Sequence, residues 1–170
     1  MTGHIRIVND PVELVPLFVI FNTNQYRKIF DLLNKDWMTK QELSGQFHEE
    51  DVEDCLLILK KGNLIEEKWR MPKPGEKPDK EFRATYSKFR ANFQCNFADL
   101  ADLLYIATSN DEELRQQAEH VKEELKKGNS SINDIARRFS VSPVYIKGIA
   151  KRLPHMDVKG QGLVSLEKAK

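Results

Sequence analysis

Between Ser131 and Lys159 the chain carries a series of polar side chains: Arg137, Arg138, Ser142, Tyr145, Lys147, Lys151, Arg152 and Lys159. Cations and hydroxyls in such an order suit recognition of a polyanion rather than bond breaking. Tyr145, Lys147 and Lys151 are spaced to read base edges, and Ser142 opens the same helix. Arg137, Arg138, Arg152 and Lys159 suit phosphate oxygens. No competing chemistry is visible. There is no phosphate-cradling Gly-rich loop and no Gly-x-Ser-x-Gly nucleophile turn. The four histidines, His4, His48, His120 and His155, lie in separate segments, and no pair has ligand spacing. The sequence therefore predicts no catalytic residues, no metal site and no cofactor.

Positioning these side chains takes two helices crossing at a steep angle. Ile132, Ile135, Phe139, Val141, Ile146 and Ile149 fall where a helix-turn-helix buries apolar groups, and Ala136 falls where the second helix passes closest. Ser131 can cap the first helix. Ser142 can cap the second, with Pro143 at its first position, where a missing N–H costs nothing. Ser140 occupies the turn, a place where Gly is commonest. On this reading Ser142, Tyr145, Lys147, Gly148 and Lys151 form the exposed face of the second helix. Met156 to Lys159 and Leu163 to Leu166, separated by Gly160-Gln161-Gly162, read as a β-hairpin. A helix-turn-helix followed by a hairpin is a winged-helix arrangement, expected here to contact duplex DNA. Its alternative use is protein contact, with the lysines merely solvated.

The same order is expected earlier in the chain. Ile5, Ile7 and Val8 suggest a short strand. The apolar run Leu14 to Phe21 must pack somewhere. A helix is expected from Asn22 or Thr23 through Leu33. Thr39-Lys40-Gln41-Glu42 is a capping box that opens a short helix holding Leu43 and Phe47. A longer helix from Glu49 to Gly62 turns Val52, Cys55, Leu56 and Leu59 inward. Ile65 to Met71 then pairs with Glu81 to Phe89 across an exposed Pro-rich loop. The helix from Glu49 opens with five acids in six residues, a poor surface for a phosphate-lined groove. Residues 66–90, by contrast, hold eight Lys/Arg against five Asp/Glu. That basic wing could reach a flanking phosphate strand or simply be solvated.

The expected class is mainly α with small β-hairpins (α+β): tandem winged helix-turn-helix domains joined by a helical linker. The divisions are an N-terminal winged-helix domain over 1–96, the linker over 97–128 and a C-terminal winged helix-turn-helix over 129–170. Within the linker, Phe97, Leu100, Ala101, Leu103, Leu104 and Ala107 make an apolar helix. A second, acidic helix starts at Asp111 and turns Leu114, Ala118, Val121 and Leu125 inward. The linker is a candidate homodimer element, or it packs between the two modules.

Charge follows the same division. The chain of 170 residues has a net charge of +1. Residues 127–170 hold nine Lys/Arg and three Asp/Glu, a net +6, and the remainder is −5. A basic module on an acidic body suits DNA contact. No apolar run is long enough for a membrane span, no secretory signal is visible, and two unpaired cysteines fit a reducing cytoplasm. Cys55 reads as a buried structural thiol. Cys95 is more exposed, with a redox or metal role as the lesser alternative.

Leu-Ile-Glu-Glu-Lys-Trp at 64–69, Asn-Phe-Gln-Cys at 92–95 and Val-Lys-Gly-Gln-Gly-Leu-Val at 158–164 resemble small archaeal regulators classed with the ArsR-type winged-helix repressors. The resemblance covers nearly the whole chain. It implies a cytoplasmic, dimeric transcriptional regulator that binds double-stranded DNA. The metal-sensing members of that class carry a Cys-x-Cys pair on a motif helix. Here the corresponding helix has only Cys55, between Asp54 and Leu56, so metal sensing is not carried over. A tandem winged-helix scaffold that holds other proteins, without direct DNA readout, is the alternative.

Overall fold

The structure is a computed structural model, and it describes residues 3–167. The chain is mainly α with small sheets, an α+β mix with eight α-helices among the described residues. Strand β1 (Ile5–Val8) leads into a tight turn, Pro11–Glu13, closed by a capping box between Asp10 and Glu13. The apolar run expected to pack somewhere is helix α1 (Leu14–Asn22), buried at Leu14, Val15, Pro16, Leu17, Val19 and Ile20. Pro16 lies in its first turn, where a helix N–H has no intrahelical partner to lose. Nearly every face of α1 is apolar, so it can only sit inside the domain.

Helix α2 (Asn24–Lys35) is followed by β2 (Met38–Thr39), α3 (Lys40–Ser44) and α4 (Glu49–Lys61). The capping box at Thr39 forms: the hydroxyl accepts from Glu42 N at 3.1 Å, and the Glu42 carboxylate accepts from Thr39 N at 2.8 Å. Strands β3 (Ile65–Arg70) and β4 (Asp79–Ala84) pair antiparallel, and β2 adds to the other edge of β4. This element order and the strand order β2-β4-β3 are consistent with a winged helix.

The expected hairpin partner, Glu81 to Phe89, is divided. Its second part becomes β5 (Lys88–Ala91), which pairs parallel with β1, Ile5 opposite Lys88. The antiparallel ladder ends at Ala84. The next amide, Thr85, still bonds Leu64, whereas Ser87 already bonds His4 at 3.2 Å. The partner strand comes from the far end of the sequence, which local pattern cannot show.

Helices α5 (Phe97–Thr108) and α6 (Glu112–Lys126) precede α7 (Ile132–Phe139), α8 (Pro143–Arg152) and the hairpin of β6 (Met156–Lys159) with β7 (Gly162–Ser165). A bridge from Ser131 to Gly162 ties the start of α7 to β7, much as β2 ties α3 to β4. Both predicted caps form: Ser131 accepts from Asp134 N at 3.3 Å and Ser142 from Tyr145 N at 3.1 Å. Ser140 ends α7 with φ 54°, in the left-handed region where Gly is the usual residue.

Two apolar cores result. The larger gathers α1, α2, α4 and β4; the smaller gathers α6, α7, α8 and the C-terminal hairpin. Helix α5 serves both, sending Leu103 and Ala107 into the first and Ile106 into the second. The inward positions read from sequence on α4 and α6 hold: Val52, Cys55, Leu56, Leu59, Leu114 and Val121 are buried, and Ala118 and Leu125 are half-buried.

Candidate nucleic-acid interface

Helix α7, its turn and the C-terminal wing carry exposed cations. Arg137 leaves 80% of its side chain exposed and is held loosely by Asp134 at 2.9 Å, one turn away. Arg138 is 64% exposed and reaches Glu124 of α6 at 3.2 Å. Glu124 itself is buried and also accepts from Asn129 at 2.9 Å, so it fixes the junction between α6 and α7. The Asn129 bond, before the nearby Arg138 and Lys127 charges, holds its carboxyl below the usual range. Lys159 projects at the wing turn beside Gly160, whose φ of 61° allows the tight reversal. Ser142 is half-buried and its hydroxyl is engaged as the α8 cap. Lys147 is half-buried on the second turn of that helix.

The rest of α8 turns inward, which corrects the expected exposed face. Tyr145 is buried, and its hydroxyl donates to Gln117 Oε1 on α6. Gly148 lies against α5 so closely that a Cβ there would meet Ile106 Cδ1 and Leu103 Cδ2 at 2.9 Å. Lys151 pairs with Asp157 of β6 at 2.8 Å, with only 17% of its side chain exposed. Arg152 donates to the carbonyls of Ile106 and of Ser109, the latter at 2.6 Å, and so satisfies acceptors freed where α5 ends. Of the eight side chains singled out in the sequence, Arg137, Arg138 and Lys159 stand at the surface together with part of Lys147. Tyr145, Lys151 and Arg152 belong to the packing of α8. The signal was present: Val144, Ile146, Gly148, Ile149 and Ala150 leave α8 no continuous polar face, and a helix apolar on most sides is buried.

Sequence reasoning passed over Lys61, at the end of α4. Its ammonium donates to three carbonyls around the end of α8: Ala150 at 2.8 Å, Leu153, and Met156 at 2.8 Å. Three N–H groups meet three acceptors at the negative end of a helix, a fit that no periodicity in the sequence announces. Burial lowers the Lys61 pKa from its ordinary value to about 7; Asp157 opposes that shift and Lys151 adds to it. Lys61 fastens the two cores to one another, and Arg152 ties α8 to the end of α5.

The first half presents a different surface. Glu49 and Glu50 at the start of α4 are exposed, and Lys40 pairs with Glu49 at 3.4 Å and with Glu53. Several cations of its wing are already engaged. Arg70 bonds Glu81 and Glu42, both at 2.6 Å, and Lys80 bonds Glu67 at 2.6 Å. Lys68 lies over the Trp37 ring at 4.0 Å. Cys55 is buried and its thiol is pushed well above the usual range, chiefly by burial; Cys95 is exposed. Among the described residues, no group of three or more His, Cys, Asp or Glu is arranged to hold a metal ion. No described helix is long and apolar enough to cross a membrane.

A fold consistent with a winged helix, a C-terminal hairpin and exposed arginines on α7 are features that DNA-binding transcriptional regulators share. A model of the ArsR transcriptional regulator family matches residues 8–167, and the chain belongs to that family. Regulators of this family bind DNA, and the family is not one of enzymes. No curated protein matches the sequence.

Proposed function

We propose that this protein is a sequence-specific DNA-binding transcriptional regulator built from two winged-helix modules, with the C-terminal module over 129–170 making the main duplex contact. The observation that carries this reading is the set of exposed cations, Arg137 and Arg138 on α7 and Lys159 on the wing, within residues 127–170 of net charge +6. Arg137, Arg138 and Lys159 hold phosphates. Ser142 and Lys147, at the start of α8, are the groups nearest a groove. Tyr145, Lys151 and Arg152 keep α8 seated and act only through its position. The acidic start of α4 stays away from the duplex. The outer face of α5, where Phe97 is 90% and Leu104 is 49% exposed, is the surface by which two copies form a homodimer in the cytoplasm.

The test is fluorescence anisotropy with mixed-sequence duplex DNA at several salt concentrations. Arg137→Ala and Arg138→Ala should each weaken binding to every sequence alike and reduce the salt slope by about one. Wild-type slopes in both variants would remove α7 from the interface.

A second reading has its own support. The acidic start of α4 and the packed face of α8 leave neither motif helix free to enter a groove as a whole. Both then suit a scaffold that holds a protein partner. A full-length chain that shows no salt-dependent duplex affinity and co-purifies with one stoichiometric protein would favour it.

A further inference from the structure

Helices α5, α6 and α8 line a cleft of about 460 Å³ that does not include Arg137, Arg138 or Lys159. Ile106, Leu114, Ala118 and Ile149 give it apolar walls, and Arg152 and Arg115 bring two positive charges to it. The bonds Arg152 makes are all to neutral acceptors: the carbonyls of Ile106 and Ser109 through Nη1, and Asn110 Oδ1 through Nη2 at 3.3 Å. That leaves the Nε–H and one Nη2 N–H without a bond among the described residues. No carboxylate among them lies within 4.0 Å of this guanidinium. Burial and the neighbouring Arg115 both work against the Arg152 charge. Two carboxylates also line the cleft, and each has a cation of its own: Glu112 pairs with Arg115 at 3.9 Å and Glu119 with Lys122 at 2.7 Å.

A partly buried cation without a counter-charge carries a desolvation cost that an entering anion would relieve. A guanidinium edge with two parallel N–H groups matches the two oxygens of a carboxylate. Apolar walls around it ask for an apolar body, and the cleft volume lies within the range of small-molecule sites. We propose that this cleft binds a small monocarboxylate, its oxygens on the free edge of Arg152 and its hydrocarbon part against Leu114, Ala118 and Ile149. The site is independent of the DNA reading. Because α8 forms one wall, an occupant would bear on the helix that follows α7.

The experiment is isothermal titration of the full-length protein with acetate, butanoate, hexanoate and octanoate, and with hexanamide as the uncharged match for hexanoate. The expected result is saturable one-to-one binding that tightens by roughly fourfold per added CH₂, with no saturable binding of hexanamide. Arg115→Gln changes an exposed side chain and leaves the fold undisturbed; it should weaken hexanoate binding several-fold. Ala118→Trp, which fills the cleft, should abolish it. If Ala118→Trp does not fold, the comparison of hexanoate with hexanamide on the wild-type protein decides. Absence of saturable carboxylate binding, equal affinity for hexanamide, or hexanoate binding unchanged in a folded Ala118→Trp variant overturns the proposal.

Discussion

Replacing Lys61 by Met tests how the two cores are joined. The methionine keeps the hydrocarbon stem but removes the donor to the carbonyls of Ala150, Leu153 and Met156, of which Leu153 still accepts from Met156 N at 3.4 Å. An orphaned buried acceptor costs about 1–3 kcal/mol, while removing a buried ammonium recovers part of its desolvation. The net loss at pH 7 should be on the order of 3 kcal/mol. The pH dependence is the sharper signature. The Lys61 pKa is lowered to about 7 in the fold and stands near 10.5 in the unfolded chain. Between those values the unfolded state binds more protons, so stability rises with pH and falls as pH drops toward the folded pKa. From pH 7 to pH 9 the wild type should gain about 2 kcal/mol through this group alone. Lys61→Met should lack that gain, so the gap between the two proteins widens with pH. Urea unfolding followed by circular dichroism at pH 7, 8 and 9 measures it. A constant gap over that range would refute the assignment of a titrating ammonium to the joint.

Three further outcomes follow from single contacts. Gly148→Val should overpack the α5–α8 contact and cost about 1–3 kcal/mol, visible as a fall in Tm of roughly 2–12 °C; an unchanged Tm would mean that the helices separate freely. Ser140→Gly removes the left-handed strain at the end of α7 and should stabilise by about 0.5–1 kcal/mol in a denaturant melt. Tyr145→Phe deletes the bond to Gln117, so it should cost about 1 kcal/mol of stability and leave duplex affinity unchanged in anisotropy. A selective loss of affinity would put the phenol in the interface.

Much of the local structure was legible because its signals are local. The capping box at Thr39 and Glu42, the caps Ser131 and Ser142, Pro143 at the head of α8 and the Gly-rich turn at 160–162 each act within a few residues. Each formed where the pattern placed it. Ser140 was visible as the one residue out of keeping with its turn, and the backbone there is left-handed. Phe89 shows the limit: its stretch has strand character, but its partner strand lies at the other end of the chain.

The face of α8 shows the same limit for function. A helical wheel gives the order of side chains around the axis. It does not give the number of neighbours, and α8 has neighbours on several sides. Lys151, Arg152 and Tyr145 look on paper like Arg137 and Arg138. They differ because Asp157, the end of α5 and Gln117 stand opposite them. The sequence by itself determined where the capped helices begin, which residues are apolar enough to form the cores, and that the last quarter of the chain is basic. Those properties depend on short-range backbone chemistry and on composition. Only the tertiary structure decided which cations remain at the surface, that Lys61 joins the two cores, and that Arg152 lines a cleft with no carboxylate among the described residues within 4.0 Å of it. Burial and partner choice depend on contacts between residues far apart in the chain, and no local pattern encodes them.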